Sequence, residues 1–218
     1  MKKQIKAYVV LPCYNEEEVL PETLSRLLVL FKKMREEELI TPTSRIVFVD
    51  DGSKDKTWEL INKYQEEYRE VCGIKLAHNA GHQNALYGGL MTVNGLCDCA
   101  ISIDADLQDD INVIPDMIRK YRDEECEVVY GVRNKRDTDT FFKRTTALGF
   151  YKLMRVMGID MVYNHADYRL LSRRVLSELE NFGEVNIFLR GMIPLVGFKS
   201  TSVYYSRSER LAGESIIP

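Results

Sequence analysis

Short apolar runs alternate along the chain with longer amphipathic segments. Each short run is rich in strand-forming residues, which predicts a strand. The predicted strands are residues 7–11, 45–50, 74–77, 99–104, 128–131, 166–171 and 199–205. Strands that alternate with helices are typical of a mostly parallel sheet with helices on its faces. The sequence therefore predicts an α/β fold.

Two amphipathic segments near the N-terminus have the periodicity of helices. Between the first two predicted strands, apolar side chains recur at helical spacing. These are Leu20, Leu24, Leu27, Leu28 and Phe31. For the next helix, Ser53 or Asp55 is the predicted N-cap. Its apolar face consists of Trp58, Ile61, Tyr64 and Tyr68.

Length, composition and charge narrow the class of protein. A chain of 218 residues fits one packed domain, which we expect to span residues 1–218. Its 45% hydrophobic and 29% charged residues are ordinary for a globular protein with a sizeable core. A formal net charge of −3 gives no long-range attraction to polyanions. We therefore expect no nucleic-acid partner.

The cysteines and the apolar windows exclude two further classes. Five cysteines, odd in number and without paired CxxC spacing, predict reduced, buried thiols rather than disulfides or a zinc site. The chain contains no window of about 18 apolar residues, which a membrane-spanning helix would require. The N-terminus lacks the pattern of a signal peptide. We therefore expect the chain itself to be soluble.

Polar segments follow the first two predicted strands. In open α/β sheets, ligands bind beyond the carboxyl ends of the strands, where residues 11–16 (LPCYNE) and 49–55 (VDDGSKD) lie. The first segment alone indicates little. In the second, Asp50 and Asp51 can accept hydrogen bonds from a base N–H or from ribose hydroxyls. The alternative is a capped turn with solvated aspartates.

A third polar segment, residues 101–110 (ISIDADLQDD), follows the fourth predicted strand. In an extended chain, Asp104, Asp106 and Gln108 alternate onto one side. Mg²⁺ and Mn²⁺ take such oxygen ligands together with substrate phosphates, so the segment predicts a divalent metal site. The alternative is a helix-entry loop in which Asp109 or Asp110 caps the following helix. That alternative leaves Asp104, at the end of an apolar strand, unexplained.

Together, in this order and at these spacings, the three segments closely resemble the family-two glycosyltransferases of the GT-A fold. Further motifs narrow the resemblance to the polyprenyl-phosphate branch, of the dolichyl-phosphate mannosyltransferase and bactoprenol glucosyltransferase type. These motifs are residues 78–85 (HNAGHQNA), 131–133 (GVR), 143–144 (KR), 166–170 (ADYRL), 188–191 (FLRG) and 210–215 (RLAGES). The resemblance covers nearly the whole chain. It implies a Rossmann-like, mostly parallel sheet flanked by helices.

The resemblance also implies roles for individual residues. The residues that would hold the donor nucleoside are Pro12, Tyr14, Glu16, Asp50 and Asp51. The residues that would hold Mg²⁺ or Mn²⁺ and the donor diphosphate are Asp104, Asp106 and Gln108, with Asp106 also a catalytic residue. Asp167 would lie near the acceptor as the catalytic base. The arginines that would grip phosphate are Arg133, Arg144 and Arg210.

The activity implied by the resemblance is the inverting transfer of a hexose from a UDP- or GDP-linked sugar to a polyprenyl phosphate. A phosphate acceptor is largely dianionic at neutral pH. We therefore expect Asp167 to orient a substrate more than it removes a proton, while the metal and the arginines supply the main electrostatic stabilisation. The sequence leaves the sugar, the nucleotide and a homo-oligomer open.

Three other functions compete with this one. Transfer to a glycan hydroxyl, as in polysaccharide synthesis, would require a true base. A nucleotidyltransferase would have a glycine-rich, basic first loop, whereas residues 11–16 supply an acid and a tyrosine. The third alternative is a non-catalytic nucleotide-binding module.

An acceptor that is carried by a lipid implies that the enzyme acts at the cytoplasmic face of a membrane. Residues 141–157 form a predicted helix with more apolar surface than one face can hide. It is either buried between neighbours or faces the membrane or the acceptor. Basic residues beside it are expected to dock the domain reversibly on anionic headgroups, unless they only solvate a helix face or bind phosphate, which is the preferred role of Arg144. These residues are Lys135, Arg136, Lys143, Arg144, Lys152 and Arg155.

The chain departs from the branch in two places. His78 stands where an arginine is common, and residues 216–218 (IIP) replace the usual lysine and tyrosine of the last motif. The second departure removes a basic contact from the expected phosphate site. Relatives commonly continue into membrane-spanning helices, so we expect that C-terminal segment to be absent from this chain.

Overall fold

A computed structural model describes residues 2–134, 165–183 and 187–206. Several expectations fall on other parts of the chain. The phosphate-binding roles of Arg144 and Arg210, the helix at residues 141–157 and the basic residues beside it all lie outside the described residues.

Seven strands form one sheet within the described ranges. They are β1 (Ala7–Cys13), β2 (Arg45–Asp50), β3 (Val71–Lys75), β4 (Cys99–Ser102), β5 (Val128–Arg133), β6 (His165–Ser172) and β7 (Ser200–Tyr205). Their order across the sheet is β3-β2-β1-β4-β6-β5-β7. β6 runs antiparallel to β4 and β5, and all other neighbours are parallel. The predicted, mostly parallel sheet is therefore confirmed.

The limits of β3 are set by its pairing with the neighbouring strand β2. The sequence predicts this strand at residues 74–77, but it lies at Val71–Lys75. β3 pairs along β2 from Val71, opposite Ile46, to Lys75, opposite Asp50. Its limits therefore follow the length of β2 rather than the most apolar part of its own sequence.

Six α-helices of the described residues cover both faces of the sheet. They are α1 (Leu20–Glu36), α2 (Thr57–Glu67), α3 (His82–Val93), α4 (Ile114–Glu124), α5 (Arg173–Glu180) and α6 (Leu189–Leu195). One buried apolar cluster joins the sheet to α1, α2 and α4. A second cluster joins the opposite face to α3, α5 and α6. The predicted α/β class, with helices on both faces of the sheet, is confirmed.

The first helix follows its predicted periodicity, whereas the second begins later than predicted. In α1, Leu20, Leu24, Leu27 and Phe31 are buried. The prediction that Ser53 or Asp55 caps α2 is wrong, because α2 begins at Thr57. The Asp55 carboxylate instead accepts a hydrogen bond from the Thr57 N–H at 3.0 Å. This local turn leads the chain into the helix.

Close packing fixes α3 against the sheet. A Cβ atom on Gly89 would lie 2.6 Å from Val49 Cγ2 and 2.8 Å from Val10 Cγ1. Only glycine therefore lets the helix approach β1 and β2 this closely. The helix is held in this way close to β1 and β2.

Because β6 is antiparallel to its neighbours, its first residues lie at the end of the sheet where the parallel strands have their carboxyl ends. A strand that runs antiparallel to β4 begins where β4 ends. Arg169 of β6 lies opposite Ser102, the last residue of β4. The Ser102 hydroxyl also donates a hydrogen bond to the Asp167 carbonyl at 2.5 Å. Asp167 thus reaches the carboxyl ends of the parallel strands.

The predicted burial of the cysteines is confirmed for four of the five. All five have free thiols, and four of them are buried. Burial raises the pKa of the Cys13 and Cys99 thiols well above their usual range. These thiols are therefore protonated and poorly reactive at neutral pH.

Over residues 2–134, 165–183 and 187–206, no helix is both long and apolar enough to cross a membrane.

Candidate functional site

The loops after β1 and β2 are joined by reciprocal hydrogen bonds. The Asn15 N–H donates to Ser53 Oγ at 3.0 Å, and the Lys54 N–H donates to Asn15 Oδ1 at 2.8 Å. The Glu16 N–H donates to Thr57 Oγ1 at 2.8 Å. The two loops that carry the predicted nucleoside-binding residues therefore form one connected wall.

The two adjacent aspartates after β2 have different surroundings. Asp51 is buried, and its two carboxylate oxygens accept hydrogen bonds from the Ala80 N–H at 2.6 Å and the Gly81 N–H at 3.0 Å. Asp50 accepts one bond through Oδ1, from the Ser53 N–H at 3.3 Å. Its Oδ2 is buried and accepts no bond from the described residues. Asp51 thus shapes the loop before α3, while Asp50 keeps one acceptor available.

Gly52 allows this wall to close onto the loop before α3. Its φ of +69° is in the left-handed region, which glycine adopts at little cost. A Cβ atom on Gly52 would lie 2.7 Å from both the His78 carbonyl carbon and the Asn79 nitrogen. The backbone at Gly52 thus lies closer to the backbone of His78 and Asn79 than any side chain at position 52 would permit.

The acidic loop, which we define as residues 103–110, is turned rather than extended. β4 ends at Ser102, the chain turns at Ala105 and Asp106, and Leu107 has a φ of +55°. The Asp106 carboxylate accepts a hydrogen bond from the Gln108 N–H at 3.1 Å, and this bond stabilises the turn. The expectation that the three metal-binding candidates alternate along an extended segment is therefore wrong. Their roles stay predictions.

A buried hydroxyl on α1 fixes the middle of the acidic loop. Thr23 is fully buried, and its Oγ1 donates a hydrogen bond to the Ala105 carbonyl at 2.7 Å. Ala105 is the residue between the two aspartates of the predicted metal site. The position of that site therefore depends on a helix that contributes no ligand to it.

Asp104 has one carboxylate oxygen in an unusual position. Its Oδ1 is buried and accepts no hydrogen bond within the described ranges. The Nε2 atom of His82 lies 3.5 Å from this oxygen. Burial raises the pKa of the Asp104 carboxyl to about 6; His82 opposes the rise and neighbouring carboxylates add to it. A cation at this oxygen would replace the missing hydrogen bond.

Asp167 lies at the centre of a group of donors. Its Oδ1 pairs with the buried guanidinium of Arg169 and with Arg190 Nε at 3.3 Å. Its Oδ2 accepts hydrogen bonds from Gln83 Nε2 at 3.0 Å and from Arg190 Nη2 at 3.4 Å. We call Asp167, Arg169, Arg190 and Gln83 the Asp167 cluster.

Charge keeps Asp167 ionised. Burial alone would raise the pKa of its carboxyl, but the guanidinium groups of Arg169 and Arg190 outweigh burial and hold that pKa below its usual range. A carboxylate with a lowered pKa accepts a proton poorly near neutral pH.

His82 links the Asp167 cluster to the acidic loop. The His82 Nε2 atom lies 3.5 Å from Asp104 Oδ1 and 3.9 Å from Asp167 Oδ2. The side chain is 46% exposed, so it lies at the solvent face of the site. The acidic loop and the Asp167 cluster, which contain the predicted catalytic residues, are therefore neighbours in one site. His82, the first residue of α3, lies between them.

Arg133 forms an ion pair with the carboxylate of Asp109. Its Nε lies 3.2 Å from Asp109 Oδ1, which also accepts a hydrogen bond from the Tyr205 hydroxyl at 2.7 Å. Asp109 is therefore an ion-pair partner. Asp110 accepts the Asn112 N–H at 2.9 Å and caps the short 3₁₀ turn Ile111–Val113, whereas α4, the helix that the sequence expected Asp109 or Asp110 to cap, has no side-chain cap. The predicted phosphate contact of Arg133 stays a prediction.

Sequence reasoning assigned no role to four residues of this site. His82, Gln83, Arg169 and Arg190 all lie within motifs that resemble the polyprenyl-phosphate branch. Their presence in these motifs was the available signal. Their partners are distant in sequence; Gln83 and Asp167, for example, are 84 positions apart.

The described residues alone do not form a complete metal site. Within them, no group of three or more His, Cys, Asp or Glu side chains is arranged to hold a metal ion. Mg²⁺ is commonly held by one or two carboxylates together with substrate phosphates. The buried, unbonded Oδ1 of Asp104 and the adjacent Asp106 fit that kind of shared site.

Comparison with solved structures supports the fold. A mannosyltransferase from Pyrobaculum calidifontis, solved with GDP-Man and Mn²⁺, superposes with a TM-score of 0.63 at 18% sequence identity, over 94% of this chain and 57% of that one. A glucosyl-3-phosphoglycerate synthase from Mycobacterium tuberculosis, solved with Mn²⁺ and UDP, gives a TM-score of 0.59 at 16% identity, over 96% of this chain and 73% of that one. The chain therefore has the predicted GT-A-type fold.

Similar sequences include curated glycosyltransferases. The protein YkoT of Bacillus subtilis, named as an uncharacterized glycosyltransferase, is 56% identical over 96% of this chain and 62% of its own length. A prophage bactoprenol glucosyl transferase homolog of Escherichia coli is 38% identical over 97% of this chain and 66% of its own length. The chain thus spans somewhat less than two thirds of these relatives.

The family model points the same way. The model described as Glycosyl transferase family 2 matches residues 8–180, which include β1 to β6, the acidic loop and Asp167. With this match and relatives well above 30% identity, the chain belongs to glycosyl transferase family 2.

Proposed function

We propose that this chain is the catalytic part of an enzyme that transfers a hexose, with inversion, from a UDP- or GDP-linked sugar to a polyprenyl phosphate. Family membership supports glycosyl transfer. Relatives named bactoprenol glucosyl transferase, at 38% identity, support a lipid phosphate as the acceptor.

The observation that carries the proposal is the state of Asp167. A hydroxyl acceptor must lose a proton during transfer and needs a base. Asp167 is paired with two guanidinium groups, which lower the pKa of its carboxyl. A phosphate acceptor already carries the negative charge of a nucleophile. The surroundings of Asp167 therefore favour a phosphate acceptor over a glycan hydroxyl.

The donor nucleoside would bind to the wall formed by the loops after β1 and β2. Asp50 Oδ2, buried and without a hydrogen bond from the described residues, is available to a base N–H or a ribose hydroxyl. Asp51 would act through the backbone it holds, because both of its oxygens accept backbone N–H groups. Pro12, Tyr14 and Glu16 would complete the wall.

A divalent cation, Mg²⁺ or Mn²⁺, would be held by Asp104 and Asp106 together with the donor diphosphate, with Gln108 nearby. When bound, such a cation neutralises the charge that develops on the leaving diphosphate. Asp104 offers a buried oxygen that lacks a hydrogen bond, which fits a cation. Thr23 would keep the loop in position through the Ala105 carbonyl.

The test is a transfer assay with purified protein, Mn²⁺ or Mg²⁺, a panel of nucleotide sugars and a polyprenyl phosphate. We expect the release of nucleoside diphosphate to rise well above donor hydrolysis when the polyprenyl phosphate is added. In Asp106→Asn, donor binding should no longer strengthen with Mn²⁺. If soluble sugars are better acceptors, transfer to a glycan hydroxyl is the correct function.

The pH dependence of Asp167→Asn tests the role of the carboxylate. If Asp167 orients substrates, raising the pH should not restore the activity of the variant. Recovery at high pH would mean that hydroxide replaces a missing base, and that outcome contradicts the proposed role. A loss of activity in Asp106→Ala without a loss of metal-independent donor binding would argue against a non-catalytic nucleotide-binding module.

Attachment to the cytoplasmic face of a membrane follows from a lipid acceptor. We propose that Lys135, Arg136 and Lys143 contribute to reversible docking on anionic headgroups, each by about 1 kcal/mol when close to the surface. Binding to anionic vesicles should weaken with salt. It should also weaken when these three residues are replaced by glutamine. Binding that ignores lipid charge at low salt would contradict this proposal.

A further inference from the structure

Arg190 is held by two points of contact at the solvent side of the Asp167 cluster. Its Nε lies 3.3 Å from Asp167 Oδ1, and its Nη2 lies 3.4 Å from Asp167 Oδ2. Two contacts to one carboxylate fix the plane of the guanidinium as well as its position. Arg190 is therefore oriented as well as paired.

Most of the guanidinium remains available to another group. An arginine has five N–H donors, and the bonds to Asp167 use two of them. The side chain of Arg190 is 44% exposed, whereas that of Asp167 is 12% exposed. The carboxylate thus lies beneath the arginine, and the unused N–H groups lie toward solvent.

Within the Asp167 cluster, positive charge exceeds negative charge. Asp167 contributes one negative charge, and Arg169 and Arg190 contribute two positive charges. Arg169 is fully buried, so it balances Asp167 from inside the protein. The remaining positive charge is that of the exposed Arg190, at the edge where His82 lies between Asp167 and Asp104.

We infer that Arg190 binds the phosphate of the acceptor through its exposed N–H groups, and that Asp167 serves to hold Arg190 in place. This inference rests on the proposed function and names the part of the acceptor that the site recognises. The ligand is a phosphate monoester, whose oxygens match the planar donors of a guanidinium. Asp167 is then a positioning residue for Arg190.

An exposed ion pair without a ligand would behave differently. Such pairs contribute about 0–1 kcal/mol to stability and nothing to substrate affinity. Arg119 of α4 is a matched control, because its side chain is 42% exposed and it pairs with the carboxylates of Glu37 and Asp116. The variants Arg190→Gln and Arg119→Gln therefore remove the same group from side chains of similar exposure.

The experiment measures binding and turnover with farnesyl phosphate, a short polyprenyl phosphate, and with farnesol, which lacks the phosphate. Arg190→Gln should weaken farnesyl phosphate binding by about ten- to a hundredfold, as expected for the loss of charge-assisted hydrogen bonds. Farnesol binding and donor binding should not change. Arg190→Lys should restore part of the lost affinity, and Arg119→Gln should resemble the unmodified chain.

A second measurement tests the positioning role of Asp167. If Asp167 acts through Arg190, the double variant Asp167→Asn with Arg190→Gln should weaken farnesyl phosphate binding no more than Arg190→Gln does alone. Additive losses would mean that Asp167 has a separate contact with the acceptor. That result would overturn this part of the inference.

The outcomes separate the inference from the proposed function. If the unmodified chain transfers no sugar to a polyprenyl phosphate, the proposed function fails, yet the binding comparison with farnesol still tests Arg190. If the unmodified chain is active and Arg190→Gln binds farnesyl phosphate normally, the inference is wrong while the function stands. Equal losses for farnesyl phosphate and farnesol would also overturn it, because they would show that the phosphate is not what Arg190 recognises.

Discussion

Two edges of the site are built from different kinds of bond. At the backbone-bonded edge, which comprises the loops after β1 and β2 with Asp51 and Asn15, side-chain oxygens accept backbone N–H groups. At the ion-paired edge, which comprises Asp167 and Asp109 with their arginines, carboxylates pair with guanidinium groups. The first kind of bond fixes the course of the chain, and the second fixes charge. We therefore expect substitutions at the two edges to fail in different ways.

The largest effect is expected at the ion-paired edge, from Asp167→Ala. This change leaves the fully buried Arg169 guanidinium without the Asp167 carboxylate, and breaking a buried pair commonly costs about 3–5 kcal/mol. Urea denaturation measures the loss in the free energy of unfolding. As a control, Glu127→Ala breaks the more exposed pair with Arg174 and should cost less than about 1 kcal/mol. Similar losses for both would remove the distinction between buried and exposed pairs here.

At the backbone-bonded edge, Asp51→Ala should have the next largest effect. The Ala80 and Gly81 N–H groups would lose a charged acceptor, which costs about 1.5–3 kcal/mol. Asp51→Asn should lose less, because its amide oxygen can still accept one of the two bonds. Faster hydrogen exchange at Ala80 and Gly81 would locate the change. Unchanged exchange would show that Asp51 does not hold this loop.

Gly52→Ala tests how closely the loop after β2 must approach the loop before α3. We expect a loss of about 1–3 kcal/mol, from left-handed backbone strain and from contact with the backbone of His78 and Asn79. Gly95→Ala separates these causes, because Gly95 has a φ of +78° but a Cβ atom added there would meet no atom within 4 Å. A thermal melt should show the smaller loss for Gly95→Ala. Equal losses would mean that strain alone explains both.

The smallest effect on stability is expected from Thr23→Val. It removes the hydroxyl bond to the Ala105 carbonyl, at a cost of about 1 kcal/mol. Donor binding in the presence of Mn²⁺ should also weaken, because the acidic loop loses its support, and Thr23→Ser should restore it. Ser44→Ala is the control, since Ser44 is a buried hydroxyl at the opposite end of β1, bonded to Ala7. If Ser44→Ala weakens donor binding equally, the effect of Thr23 is only a general loss of stability.

The sequence predicts most of the fold, because each strand is a compact apolar run and α1 has a clear period. The sequence prediction fails where contacts with a neighbouring element set the limits of a strand. β3 takes its limits from β2, and the strand expected to continue to Asp104 ends at Ser102 because the acidic loop turns back toward α1. Such contacts join distant parts of the chain and leave little trace in local composition.

The candidate site is predicted in part for the same reason. Asp104, Asp106 and Asp167 stand out because a carboxylate beside an apolar strand calls for an explanation. Nothing in the sequence indicates which of its many arginines pairs with Asp167. That choice depends on the register of β6 and on the placement of α6, which only the assembled fold supplies.

The antiparallel strand between β4 and β5 also affects how the protein reaches its native state. Ser102 and Asp167, which meet through this strand, are 65 positions apart, and contacts between distant residues form slowly because closing a long loop costs entropy. Neighbours at the other side of the sheet are closer in sequence, since Tyr8 of β1 pairs with Arg45 of β2 and Ile46 of β2 pairs with Val71 of β3. These three strands can therefore assemble earlier. During refolding from urea, secondary structure should therefore return before the capacity to bind ligand. In the cell, the emerging polypeptide would lack a working centre until β6 has left the ribosome and inserted beside β4.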